Sequence, residues 1–205
     1  QSLFVDTIRS MRIVALAHQL GHVLMGEHDE KISLLNRAVR HCLATAKYVV
    51  WYGEGRDSYD IRGRTAHEAI FNRNDGFFRC PSTQQGYSPF TTWTRGQAWA
   101  ICGFAEQLEF LKTLPAGEFA KADLPTKSEV IKTYEKAAKA TCDFYIEDGT
   151  NTDGITYWDT GAPGLAEWDW QNAEADPYNY YEPVDSTASA IAAQGLIRLG
   201  NYLGA

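Results

Sequence analysis

The stretch TWTRGQAWAICGFAEQLEFL, residues 92–111, decides how the rest of the chain is read. From about Thr94 to Leu114, small or apolar residues recur on almost every side of a helical projection. A helix that is apolar all round belongs in an interior, not on a surface. Gly96, Ala98, Ala100, Gly103 and Ala105 also leave room for close neighbours. This segment is therefore expected to be a buried helix, and its surroundings are read relative to it.

Four more helices are expected around it. DTIRSMRIVALAHQLG predicts a first helix from about Asp6 to Leu20, and STASAIAAQGLIRLGNYL a last one opening at Asp185-Ser186. Both are rich in small and apolar residues and read as buried. Between them lie two amphipathic segments. One runs from about His28 to Val50, with Ile32, Leu35, Val39, Cys42, Ala46 and Val49 on one stripe. The other follows Pro125, capped by Thr126 or Ser128, with Val130, Tyr134, Ala138, Thr141 and Tyr145 inward. Buried and amphipathic helices alternate, which suggests an inner layer of helices wrapped by an outer one. An ordinary helical bundle with irregular loops is the plainer alternative. The segments at about 51–92 and 148–184 are too long to be mere connectors. Within them DSYD, GITYW and GFFRC are candidates for short strands, with turns at Asp75-Gly76 and Asp153-Gly154.

Bulk properties narrow the partners. At 205 residues, with 44% hydrophobic and 22% charged residues, the chain fits one globular domain with a real core. A net charge of -7 argues against nucleic acid or an acidic membrane surface as partner. No apolar run reaches the length of a membrane span. Cys42, Cys80, Cys102 and Cys142 are far apart and fit free thiols better than a disulfide framework, although one bridge stays open. Aromatic residues make up 13% of the chain, and many fall in the loops. They serve either to pack those loops or, less commonly, as stacking platforms for flat ligands such as sugars.

HQLGHVLMGEH, residues 18–28, has three histidines at the spacing of a zinc-protease ligand set. Gln19 stands where that chemistry needs a glutamate base, and Met25 where the turn needs glycine. The expectation is a helix stop at Gly21 with no metal and no cofactor. A better candidate lies at the mouth of the buried central helix. Arg95 and Trp99 are four apart on one face, and Trp93 and Gln97 are likewise four apart. A guanidinium there is costly to bury unless an anion meets it. An acidic sugar fits that demand, and so does a pairing with one of the 26 acidic residues.

Here the chain resembles a known family. TWTRGQAWAICGF is similar to the signature of unsaturated glucuronyl hydrolases, glycoside hydrolase family 88. LFVDTIRSMRIVALAHQLG resembles the family's strand-like approach to an inner helix, and TAHEAIFN its histidine-bearing substrate loop. GITYWDT and DSTASAIAAQGL resemble its later portion. Gln97 favours this family over family 105, which acts on unsaturated galacturonyl ends of rhamnogalacturonan and usually carries asparagine there.

The resemblance implies an incomplete (α/α)6 barrel with two and a half to three helix pairs, a single-domain portion over residues 1–205. It implies a glycosidase that removes a 4,5-unsaturated uronate from lyase-generated oligosaccharides by hydrating the vinyl ether. Asp6 matches the general acid and base, a role worth about 10²–10⁴ in rate. His67, Gln85, Trp93, Arg95 and Trp99 match residues that line the sugar subsites, whereas Gln97 and Asp185 receive no role. The family's second essential aspartate lies upstream of the matched span, so the chain reads as a portion of a longer enzyme. Inner-helix faces around Ala190 and Leu196 are then expected to be open, ready to assemble with missing segments of the same polypeptide. The alternatives are the family 105 activity and a non-catalytic carbohydrate-binding fragment.

Overall fold

In the computed structural model, which describes residues 1–204, short strands and five long or medium helices follow one another. The order is β1 (Ser2–Phe4), a 3-10 helix (Val5–Ser10), α1 (Met11–Gln19), β2 (Leu24–Met25), β3 (Lys31–Ile32), α2 (Leu34–Tyr48), β4 (Glu68–Phe71), β5 (Phe78–Ser82), α3 (Thr94–Thr113), the short α4 (Gly117–Lys121), α5 (Lys127–Asp148) and α6 (Ser186–Leu203).

Helix α3 is the centre of the molecule. It packs against α6 on one side, against the 3-10 helix and α1 on another, and against α5 behind. Helix α2 covers α1 and the 3-10 helix and meets α5. The result is an inner row of α1, α3 and α6 backed by α2 and α5. One continuous core joins the two rows, from Val5 and Ile8 through Ile101, Phe104 and Leu108 to Val130, Tyr134 and Leu199. A second small cluster of Tyr157, Ala162, Leu165 and Trp170 forms under the loop before α6.

The close packing has an identifiable cause. A Cβ on Gly96 would lie 2.8 Å from Val5, and one on Gly103 would lie 2.7 Å from Ile8. The two glycines are seven residues apart, two turns on one face of α3, and they form the groove that receives the 3-10 helix. On the α6 side Gly195 does the same, since its Cβ would meet the Cys102 backbone at 2.7 Å.

Helix starts follow their caps. Ser33 accepts from Asn36 N, and Asp185 accepts from Ala188 N. Thr126 and Glu129 form a reciprocal capping box at α5. Helix α1 ends where expected, with Gly21 at φ 78 in the left-handed region.

Several expectations need correction. The second helix starts at Leu34, not near His28. His28 and Asp29 take positive φ (58 and 59), and residues 24–32 form a two-stranded turn instead. The first helical segment begins as a 3-10 turn rather than as α-helix. DSYD is no strand, because the Asp60 carboxylate gathers the backbone N–H groups of Tyr52, Gly53, Glu54 and Arg56. Only the end of GFFRC is a strand: β5 pairs antiparallel with β4, which pairs with β1. GITYW holds a single bridge, Tyr157 to Val184. Nor are the first and last helices buried all round. Ile13 is 65% and Ile197 66% exposed. The face expected to be open does show Ala190 to water, while Leu196 is half-buried.

Candidate active site

The sheet sets up the site. The register of β1 on β4 places Phe4 opposite Glu68, and Val5 N then donates to His67 O at 2.9 Å. The next residue, Asp6, is thereby held against His67. Its Oδ1 lies 4.0 Å from His67 Nε2, beyond a hydrogen bond but facing it.

The chemistry of His67 follows from its other nitrogen. Nδ1 accepts two backbone N–H groups, from Gln84 at 2.9 Å and Gln85 at 3.1 Å. An acceptor nitrogen carries no proton, so the proton sits on Nε2. Burial lowers the pKa of the imidazole below its ordinary 6.5, although Asp6 and Glu68 pull it back up. The ring is therefore neutral, and its buried Nε2–H has no hydrogen-bond partner among the described residues. Phe4 and Trp93 hold it in place, with ring centroids 5.3 and 4.8 Å away.

Arg95, in the first turn of α3, donates from Nε to Asp185 Oδ2 at 2.9 Å. Asp185 Oδ1 meanwhile caps α6 through Ala188 N. One carboxylate thus anchors a helix start and orients the guanidinium, whose terminal nitrogens stay available to an oxyanion. The Arg95 guanidinium carbon lies 5.7 Å from the Trp93 ring centre. One turn further along α3, Trp99 is half-buried beneath the Arg9 guanidinium, 5.0 Å above its ring. Arg9 lies 4.0 Å from Asp6 in turn. A groove of about 650 Å³ runs on from Arg9 between α1 and α3, past Ile13 and Leu16.

Asp6, His67, Trp93, Arg95 and Trp99 thus share one end of the inner row. Two of the expected residues contribute differently from a simple lining role. Trp93 is 5% exposed, and its ring backs His67. Gln85 engages His67 through its backbone N–H while its side chain points to water. Gln97 is fully occupied elsewhere: Nε2 donates to Gly63 O and Thr141 O, and Oε1 accepts from Thr65.

Sequence reasoning missed three contributors. Arg9 gave no signal of its own, standing beside Arg12 in a largely apolar segment. Asp159 lies inside the noted GITYWDT and is fully buried. Its carboxylate accepts from Tyr87 N and Gly161 N and ties the two long loops together. Burial raises its pKa, against the pull of those hydrogen bonds. Glu182 accepts from the Trp158 indole at 2.7 Å and from Gly164 N. Among the described residues no three His, Cys, Asp or Glu side chains converge as metal ligands. His18 pairs instead with Glu118 at 2.9 Å. All four thiols are free, and burial pushes those of Cys42 and Cys142 up to about 12.

No family model matches the chain. It is 30% identical over 185 residues to the unsaturated glucuronyl hydrolase of a Bacillus species, covering 82% of this chain and 40% of that protein. It is 26% identical over 168 residues to the enzyme of the same name from Formosa agariphila, covering 82% of this chain and 32% of that protein. A solved unsaturated glucuronyl hydrolase specific for heparin shares the fold, with a TM-score of 0.66 and 16% identity across 98% of this chain and 41% of that one. The chain spans about a third to two fifths of the curated relatives it matches, and over that span it is a homologue of the unsaturated glucuronyl hydrolases.

Proposed function

We propose that the chain forms part of an (α/α)6 barrel glycoside hydrolase that removes a 4,5-unsaturated uronate from lyase-generated oligosaccharides. α1, α3 and α6 are its inner helices, and α2 and α5 its outer ones. The Asp6 carboxyl delivers a proton to C4 of the C4=C5 bond, and water adds at C5 and gives up a proton to the same carboxylate. The hemiketal so formed opens to a ketone. The anomeric carbon is left as a hemiacetal that expels the remaining sugar. No displacement occurs at that carbon, so the spacing rule for paired glycosidase carboxylates does not apply.

His67 Nε2–H supplies a fixed donor beside Asp6. Arg95, oriented by Asp185, takes the uronate carboxylate, and Trp99 offers a ring face. Trp93 and the Gln85 backbone hold His67. One observation carries the reading: a buried imidazole N–H, locked in one tautomer and without a partner among the described residues, faces a carboxyl at the mouth of helices homologous to such enzymes.

The test follows the vinyl ether absorbance of an unsaturated chondroitin disaccharide in the full-length polypeptide that carries this chain. Absorbance falls with the parent protein, and Asp6→Asn lowers the rate by about 10²–10⁴ while binding persists. Turnover of an unsaturated rhamnogalacturonan disaccharide alone would assign the family 105 activity instead. Binding with no turnover of either sugar would leave a carbohydrate-binding protein.

A further inference from the structure

Resting on that reading, we infer that Arg9 and Trp99 form a second anion subsite, for a sulfate or carboxylate on the sugar besides the uronate's own carboxylate. The arginines of the inner row separate into two kinds. Arg12 and Arg198 are paired with Glu106 and Glu109, and Arg95 with Asp185, all within hydrogen-bond distance. The Arg9 guanidinium makes no hydrogen bond among the described residues. Its nearest carboxylate, Asp6, is 4.0 Å away, and its side chain is 52% exposed.

The mode of contact matters. Arg9 lies over the face of the Trp99 indole. A cation resting on a ring face spends none of its N–H donors on that contact, and these remain for pairing with an oxyanion. The cation is thus positioned with only a long contact to a carboxylate. It borders the groove between α1 and α3 on one side and Asp6 on the other. Arg95 already meets the one charge that every unsaturated uronate carries. A second cation this near, held to a carboxylate only at 4.0 Å, accounts for a second charge.

Calorimetric binding of the parent chain and Arg9→Gln tests this with three unsaturated disaccharides: a uronate joined to a neutral hexosamine, the same disaccharide O-sulfated, and a uronate joined to a second uronate. The parent chain binds a doubly charged ligand more tightly than the singly charged one. Arg9→Gln weakens the doubly charged ligand about tenfold more than the singly charged one. Arg9→Lys retains part of the preference. Loss confined to the sulfated sugar identifies sulfate, and loss confined to the diuronate identifies carboxylate. An equal loss for all three, or no loss, overturns the subsite while leaving the proposed function standing. A parent chain that binds none of them removes both. Because Arg9 lies at the surface, unchanged thermal unfolding of the variant separates lost binding from lost fold.

Discussion

Helices α3 and α1 have similar sequences and different surroundings. Both are rich in small and apolar residues, and both read as interior helices. α3 is covered by α6, α5 and the 3-10 helix, with Ala98, Ala100, Ile101, Phe104 and Leu108 fully buried. α1 has α2 on one side and α3 on another, yet Ile13 and Leu16 face water. Apolar composition around a helix states which surfaces ought to be covered. Which ones are covered depends on the neighbours present. An open apolar stripe on an otherwise interior-type helix is the mark of a surface made for contact.

The sharpest way to break this comparison is to truncate one apolar side chain in each helix, buried in α3 and exposed in α1. Phe104→Ala should cost about 3–5 kcal/mol, from lost burial and the cavity left behind. Ile13→Ala should stay within about 0.5 kcal/mol, because its surface is already wet. Denaturant midpoints of the two variants measure the contrast, and equal losses would show that α1 is covered in solution. Two glycines on α6 sharpen it further. Gly195→Ala forces a methyl into the Cys102 backbone and should cost about 1–3 kcal/mol. Gly200→Ala, with nothing within 4 Å of the new methyl, should stabilise by about 0.5–1 kcal/mol. At the edge of the second row, Ser33→Ala removes the α2 cap and should cost about 1 kcal/mol, read from the same midpoints.

A pH experiment separates the functional end from the rest. The unfolded chain protonates His67 near its ordinary 6.5, whereas the buried ring resists protonation until lower pH. Its contribution is therefore intact above 6.5 and lost as pH falls below it. Half-buried His41, its pKa also lowered by desolvation, acts in the same direction. Unfolding midpoints on either side of 6.5 should show acid destabilisation, reduced in His67→Gln and reduced again when His41→Gln is added. In nitrogen-resolved NMR of the parent chain at neutral pH, Nε2 should carry the His67 proton; a proton on Nδ1 would contradict the two backbone bonds it accepts.

Much of this was legible because the signals were local. Thr126 and Asp185 announce helix starts through their own side chains, and Gly21 announces a stop by its backbone freedom. The start of α2 was not legible. An apolar stripe from Ile32 onward invites extension of the helix back to His28, but positive φ at His28 and Asp29 turns the chain there, and periodicity does not encode φ. At the site, Arg95 and Trp99 could be paired from spacing alone, as they share one helix. The resemblance nominated Asp6 and His67, yet strand register brings them together, and no pattern within either segment states that register. Arg9 was invisible because the ring it covers, Trp99, belongs to a different helix ninety residues away.

The sequence by itself determined which segments are helical, which faces are apolar, and that a cluster of aromatic and charged groups stands at the start of α3. These follow from side-chain periodicity and from caps within a few residues. Only the tertiary structure decided that His67 is neutral with its proton on Nε2, that Gln97 is consumed in packing, and that Arg9 lies over an indole with only a long contact to Asp6. Each of those depends on hydrogen bonds and approaches between residues far apart in the chain, where the energy of a charge or a donor is set by whatever group folding brings within a few ångströms.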